Sequence, residues 1–376
     1  MPPRRFLLRA LRWIAAALLI LPALAVTAAP LLRLQHIAPF AQAVSARGLV
    51  ATALLVAALA AFTFFSATAI RRRRIIRSIN PRSRARNKPV PPPFPAISLT
   101  LALALAATGG INLAVLSARG LDSGARTTLE GLAATPAEPG EVTVVVLNTQ
   151  WTNVPVADIA ELIRASEADV VLLPETPIIV AIHVTDVLAL DGTPFQAIPL
   201  LKRDSRDTSL LVAESFGLYD DGGSPILGSA QAIPAEAGPT ITAVHAFPPP
   251  TPWPLSALYG IPDTSDHQAR WVNEVRDAVG QCRADAWGIV GGDFNATRDH
   301  TAWFDDCGYV DVMVEAGAGG WGTWPDAVPA FLGAPIDRVL VDPAHWTPTA
   351  GWIVEMQGTD HRAVVARMMP FEPGAP

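Results

Sequence analysis

Three short stretches in the C-terminal part of the chain set acids, amides and an imidazole beside strand-like apolar runs. They are Gly291-Gly292-Asp293-Phe294-Asn295, Ile336-Asp337-Arg338-Val339-Leu340-Val341 and Gly358-Thr359-Asp360-His361. A residue that closes an apolar strand emerges at a sheet edge, where a site can form. In the first stretch two glycines allow a sharp turn, and Asp293 and Asn295 point the same way with Phe294 buried between them. A carboxylate so placed can orient or deprotonate a water, and an amide can hydrogen-bond a phosphoryl oxygen. In the third, His361 beside Asp360 can carry a proton or stabilise charge on a phosphorus centre. Asp337, at the approach to another strand, can accept the ring N–H of His361.

Two further strand ends carry donors for a hard cation. One apolar run ends at Leu147-Asn148 and the next at Leu172-Leu173-Pro174-Glu175. A carboxylate at one strand tip with an amide on its neighbour can hold Mg2+, which prefers oxygen ligands. Taken singly, Asn and Glu at strand ends are also common turn residues. His245 closes the run Ile-Thr-Ala-Val-His and is a second candidate histidine. His183, His267, His300 and His345 lack this context and are expected at the surface. Together the strand endings suggest one metal-assisted phosphoester site.

Half of the 376 residues are apolar and only 16% are charged, too apolar for an ordinary soluble protein of this size. The charge is also segregated. Fifteen of the 28 Lys and Arg residues lie at or before Lys88, and all 34 acids lie at or after Asp122. The part beyond Lys88 therefore sets 13 basic side chains against 34 acids, a balance of −21 hidden by the overall −6. An acidic domain repels a phosphate backbone, so extended nucleic acid is a poor substrate for it.

Three apolar stretches are long enough to cross a bilayer: Trp13 to Leu32, Leu49 to Ile70 and Ile97 to Leu116. The first, preceded by Arg4, Arg5, Arg9 and Arg12, has the alternative of a cleaved signal peptide, which two later spans disfavour. Arg71 to Lys88 holds nine basic residues and no acid, and such a loop stays cytoplasmic. An odd number of spans then places everything after Leu116 outside the cytoplasm. The expected layout is a multi-pass membrane region over residues 1–118, a Gly-, Ala-, Thr- and Pro-rich linker over 119–140, and one α/β catalytic domain over 141–371.

Within that domain, strands are expected at Val142–Leu147, Val170–Leu173, Ser209–Ala213, Ile241–His245, Gly288–Val290, Val339–Val341 and Ala363–Ala366. Helices are expected from Val156 to Ala165 and from Gln268 to Cys282. Many strands and few helices argue for packed sheets with helices outside.

These residues resemble the endonuclease/exonuclease/phosphatase superfamily, which includes DNase I-like nucleases, sphingomyelinases and inositol-phosphate phosphatases. The matching text is Leu147-Asn148, Asp169 through Glu175, Val244-His245, Gly292-Asp293-Phe294-Asn295-Ala296, Thr323-Trp324-Pro325, Ile336-Asp337-Arg338-Val339 and Thr359-Asp360-His361, in the family's order. The resemblance implies an α/β four-layer sandwich of two packed mixed sheets with outer helices, here preceded by three transmembrane helices. It implies that Glu175 and Asn148 hold a catalytic Mg2+ (Mn2+ being the alternative ion) and that Asp360 helps bind metal or substrate. Asp293 and Asn295 would position water and phosphate, the Asp337–His361 pair would act on the phosphoryl group, and His245 would be a second phosphate-contacting histidine. Pro174 stands where the family usually has Gln, and Thr359 where Ser is usual; neither change removes a metal- or proton-handling group.

Three spans ahead of an outward-facing domain look like the VanJ-type membrane proteins of actinobacteria. That likeness implies a membrane-anchored, extracytoplasmic phosphoesterase acting on a phosphodiester or phosphoanhydride, with a lipid-linked phosphate or pyrophosphate as substrate and the bilayer as partner; no protein partner is implied. Trp151, Trp253, Trp321, Trp324 and Trp352 suit a membrane-facing rim. The competing readings are a secreted-side endonuclease or exonuclease and a catalytically inactive envelope-binding module. Cys282 and Cys307, the only cysteines, are expected to pair in an oxidising compartment.

Overall fold

In the computed structural model the described residues are 3–78, 95–198, 208–250, 265–283, 285, 287–304 and 308–371. The chain divides into two compact units. One comprises residues 1–32 and 47–115, the other residues 33–46 and 116–376.

The first unit is helical. Helices Pro3–Thr27, Arg47–Ser78 and Ala96–Ala118 are each long and apolar enough to cross a membrane. The first candidate span ends earlier than the sequence pattern implies. Its helix ends at Thr27 and residues 28–33 form turns, with Pro30 unable to continue the helical ladder. A polar relay links the three helices: Arg47 Nη1 donates to Asn112 Oδ1 at 2.7 Å, and Asn112 Nδ2 donates to Thr27 Oγ1 at 2.7 Å. Interhelical hydrogen bonds of this kind hold apolar helices together where the hydrophobic effect cannot.

The second unit is built on two sheets. Strands β1 (Arg126–Thr127), β2 (Val142–Val146), β3 (Val170–Pro174), β4 (Phe195–Ile198), β5 (Thr208–Ala213), β12 (Trp346–Val354) and β13 (Ala363–Pro370) form a seven-stranded sheet in the order β1-β12-β13-β2-β3-β5-β4. Strands β6 (Tyr219–Gly223), β7 (Ser229–Pro234), β8 (Ile241–His245), β9 (Ile289–Asp293), β10 (Val310–Asp311) and β11 (Asp337–Val341) form a six-stranded sheet in the order β10-β11-β9-β8-β7-β6. Both sheets are mixed: β2 and β3 are parallel, as are β8 and β9, amid antiparallel neighbours.

Strand alternation explains the four layers. In β2, Val144 and Val146 face the inter-sheet core with Ala243, Ile289 and Val339, whereas Val145 and Leu147 face outward onto Ile159, Leu162 and Val184. Those outer residues come from helices Val156–Ser166 and Ile178–Leu190. On the far side, Val244, Val290 and Leu340 are covered by Trp271, Val275 and Val279 of helix Ser265–Val279. Central strands buried on both faces need continuous apolar runs, which is why their polar residues collect at the ends. The expected sandwich is the observed one.

The stretch 119–140, expected to be a linker, carries structure. It contributes β1 and a helical turn, Leu129–Ala133, whose Leu132 is buried in the outer core. Composition hid this because the element is short and its anchor is one leucine. Cys307 and the side chain of Cys282 lie outside the described residues, as does Trp253.

Candidate active site

Every sequence-predicted site residue lies at the same edge of the two sheets. In register, Asp293 at the end of β9 is flanked by His245 on β8 and Asp337 on β11. Asn148 follows β2 and Glu175 follows β3, facing them from the other sheet. Asp360 and His361 precede β13.

The backbone is specialised to turn here. Gly292 has φ +137°, and a Cβ on it would lie 2.0 Å from the Val244 carbonyl oxygen of the neighbouring strand. Only glycine lets β8 and β9 approach so closely. Glu175 and Asn295 both adopt positive φ, 55° and 47°. Asn tolerates this conformation; Glu is held there at a cost of roughly 1 kcal/mol.

The polar groups converge tightly. Asn148 Nδ2 donates to Glu175 Oε1 at 3.0 Å and to Asp293 Oδ2 at 3.2 Å, so one amide bridges the two sheets. His245 Nε2 lies 3.5 Å from Glu175 Oε1 and 4.0 Å from Asp293 Oδ2. His361 Nδ1 is 2.8 Å from Asp337 Oδ2, the expected pair. Its Nε2 lies 3.8 Å from Asp293 Oδ2 and 3.9 Å from Asp360 Oδ1. Asn295 directs its amide hydrogens at the Ala246 carbonyl, 3.0 Å away, and at Asp293 Oδ2, 3.4 Å away, while its N–H donates to Asp293 Oδ1 at 2.8 Å. It therefore orients Asp293.

Several positioning groups had entered the sequence reading only as matching text or as rim tryptophans, and Arg362 not at all. Thr323 Oγ1 accepts the N–H groups of Ile336 and Asp337 at 3.1 and 3.2 Å and so fixes the entry of β11. Thr359 Oγ1 donates to the Asn148 carbonyl at 2.7 Å and accepts the His361 N–H at 3.1 Å, so Thr serves where Ser is usual. Buried Arg362 donates to the carbonyls of Gly322, Pro325, Asp326 and Val328, holding the loop that carries Trp324. Trp324 Nε1 donates to Asp360 Oδ2 at 2.9 Å.

Four carboxylates share this edge with two histidines. Burial and then repulsion from Asp337 push Asp293 up to about 6, against the attraction of His361 and His245. Burial likewise raises Glu175, against its Asn148 hydrogen bond. Burial pulls His361 down, but Asp337, Asp293 and Asp360 outweigh it and push the imidazole up to about 10. These carboxylates favour the imidazolium form of His361, which suits it to stabilising phosphoryl charge. The remaining acid excess fits a cation. Asp293, Asp337 and His361 bring one ligand atom each within 4.8 Å of one another, and the buried Asp337 Oδ1 has no hydrogen-bond partner among the described residues.

His300, expected at the surface, is buried at 1% exposure. Its surroundings come from a segment more than 250 residues earlier, which no local pattern reveals.

The fold is a two-sheet α/β sandwich with acids and histidines gathered at one edge. Residues 145–361, more than half the chain, match the Endonuclease/Exonuclease/phosphatase family, and the chain belongs to it. Members of this family hydrolyse phosphoester bonds. Similar solved structures include the endonuclease/exonuclease/phosphatase from Beutenbergia cavernae (16% identity, TM-score 0.45, covering 62% of this chain and 72% of that one). Others are the human Nocturnin catalytic domain with bound sulfate (13%, 0.44, 63% and 97%) and an AP endonuclease from Archaeoglobus fulgidus (13%, 0.44, 60% and 98%). No curated protein matches the sequence.

Proposed function

We propose that this chain is a membrane-anchored, Mg2+-dependent phosphoesterase that works outside the cytoplasm on a lipid-linked phosphodiester or phosphoanhydride. The observation that carries the reaction class is Asp293 held between His245 and Asp337 in register and bridged by the Asn148 amide to Glu175.

The donor set suits Mg2+, or Mn2+, because it is dominated by carboxylate oxygen. Two groupings compete for the ion. The Asp293–Asp337–His361 cluster is tight, but its imidazole is protonated and already donates to Asp337. Glu175, with Asn148 and Asp360, is the better holder, since its carboxylate is 18% exposed and within reach of solvent. Rotation of the Asn148 amide would present Oδ1 in place of Nδ2, giving up the Gln150 N–H that Oδ1 accepts at 2.9 Å. A bound divalent ion supplies Lewis-acid polarisation of a phosphoryl oxygen.

The chain's own residues do the rest. Asp293, with its affinity for a proton raised toward neutrality, orients and deprotonates the attacking water, and Asn295 fixes its carboxylate. The His361 imidazolium, oriented by Asp337, stabilises the charge that builds on the phosphoryl oxygens. His245 offers a second nitrogen on the opposite flank of Asp293.

Three membrane-length helices support the membrane assignment, and the arginines at Arg71, Arg72, Arg73, Arg74 and Arg77 support a cytoplasmic end for the second. With three crossings, the loop between the first two and everything after the third share one side, in keeping with residues 33–46 belonging to the compact unit of 116–376. Trp151 and Trp324, 53% and 41% exposed, lie beside Asn148 in sequence and against Asp360 in space, where indoles suit a lipid interface. Trp321 and Trp352 are half-buried and do not contribute to such a rim.

The test is a phosphate-release screen of the detergent-solubilised chain against lipid pyrophosphates, phospholipids and DNA, with Mg2+ and with EDTA. Release from a lipid substrate, lost in EDTA, is expected. Preference for DNA would replace the lipid reading by a nuclease, and no Mg2+-dependent release from any substrate would leave an envelope-binding module.

A further inference from the structure

The segment between the first two long helices packs into the catalytic unit. Ala41 is fully buried among Trp271, Val244 and Phe294 on the outer face of the six-stranded sheet. His36 stacks on Phe304, with ring centroids 5.2 Å apart, and meets Trp271 edge-on at 5.8 Å. Its Nε2 is 2.7 Å from the His300 carbonyl oxygen, to which it donates. Gln42 Nε2 donates to the Pro250 carbonyl at 2.6 Å.

His300 completes the attachment. The Thr297 N–H donates to its Nδ1 at 2.9 Å, which makes Nδ1 the acceptor and leaves the hydrogen on Nε2. Nε2–H then donates to the Ala41 carbonyl at 3.1 Å. The imidazole is buried and neutral, held down to about 4 by burial. Thr297 follows Asn295 by two residues, and Pro250 lies in the loop that leaves His245. The Trp271 indole N–H meets the same turn, donating to the Asn295 carbonyl at 3.1 Å. One segment thus touches both loops that leave the site edge from β8 and β9.

We propose that Arg33–Ala46 is a positioning strut of the active site: through His36, the Ala41 carbonyl and Gln42 it holds the loops after Asn295 and after His245, so that turnover depends on a piece of chain lying between the first two membrane-length helices. The turnover arm rests on the phosphoesterase reading; the structural arm does not. His300 is a positioning residue, acting on Asp293 through the Asn295 turn.

The experiment uses the full chain in detergent. His36→Phe keeps the ring stacking and loses the donor, and Gln42→Leu loses the other; the two are combined. His300→Gln keeps an acceptor for Thr297 N–H and a donor for the Ala41 carbonyl, as Gln does three residues into a helix, whereas His300→Leu loses both. Hydrogen exchange is followed across 294–301 and, within 246–250, at the Ala246 and Phe247 amides, since Pro248, Pro249 and Pro250 carry none, with β2 and β3 as internal reference. The combined variant and His300→Leu should each raise exchange at 294–301 about tenfold, and the combined variant at 246–250 as well, with the reference strands unchanged. On a substrate that the wild type hydrolyses, kcat should fall about tenfold with KM within about twofold, and His300→Gln should stay close to wild type in both readouts. Wild-type exchange in both loops of the combined variant would overturn the proposal. So would an equal rise throughout the domain, which marks plain destabilisation, or a His300→Gln chain as damaged as His300→Leu. A wild-type chain without turnover would overturn the phosphoesterase reading alone, and the exchange data would still decide for or against the strut.

Discussion

His300 gives the sharpest quantitative expectation because its protonation changes only on unfolding. In the native chain burial dominates, opposed by Asp299 and by the hydrogen bond to Ala41 and joined by His36 and Arg119, and the imidazole titrates at about 4 instead of 6.5. Between those values the unfolded chain binds a proton that the folded chain refuses, so stability is present above pH 6.5 and is lost as pH falls towards 4. The full gap corresponds to about 3 kcal/mol, of which about 2 kcal/mol is lost between pH 7 and pH 5. For a domain of this size that is a fall in melting midpoint of roughly 4–8 °C. The assay is thermal unfolding in detergent followed by tryptophan fluorescence, wild type against His300→Gln, at pH 7 and pH 5. Every other titrating group, including His361 with its opposite sign, is common to both chains and cancels in the difference. Wild type should lose those degrees over and above the variant. Equal pH dependence in the two chains would refute the buried neutral imidazole.

Other expectations follow from the same geometry. Glu175→Gln should raise the Mg2+ concentration needed for half-maximal activity and cut turnover by about two orders of magnitude or more, with an unchanged circular dichroism spectrum. Turnover of His361→Ala should collapse, Asp337→Asn should cost less because the ring remains, and the double variant should be little worse than His361→Ala alone; additive losses in steady-state kinetics would separate the two roles. Gly292→Ala should prevent folding, since a Cβ 2.0 Å from the Val244 carbonyl and a φ of +137° together cost roughly 3 kcal/mol or more; a soluble variant with wild-type melting would contradict the close approach of β8 and β9. A reporter active only outside the cytoplasm, fused after Pro376, should be active, and activity of a cytoplasm-only reporter there would reverse the assigned orientation.

The site was legible because its chemistry sits where apolar runs stop. Asn148, Glu175, His245, Asp293 and Asp337 each end or begin a strand buried on both faces, so their placement at one edge follows once those strands are recognised. The paired Asp337 and His361 were legible for the same reason. Helix Ile178–Leu190 was not, because it is apolar almost all round and shows no amphipathic stripe. Strands β6 and β12 were missed because Gly222 and Gly223 interrupt one and Pro348, beside a register shift, the other. His300 and Arg33–Ala46 were illegible in principle: each completes an environment supplied by the other across most of the chain, and local text holds no trace of a long-range partner.

The place of Arg33–Ala46 in the catalytic unit also constrains how the protein is made. The segment is synthesised before the second and third helices, and its partners Trp271 and His300 follow more than 200 residues later. It must wait, unpartnered, until the last sheet is assembled. Under the proposed topology, failure of the second or the third helix alone to insert would leave the segment and the domain on opposite faces of the bilayer, and the unit could not close. Closure of the fold is therefore tied to the threading of the chain, and a molecule mis-inserted at either helix would leave Trp271 without its Ala41 cover. A fragment cut to begin after the third helix lacks the same cover.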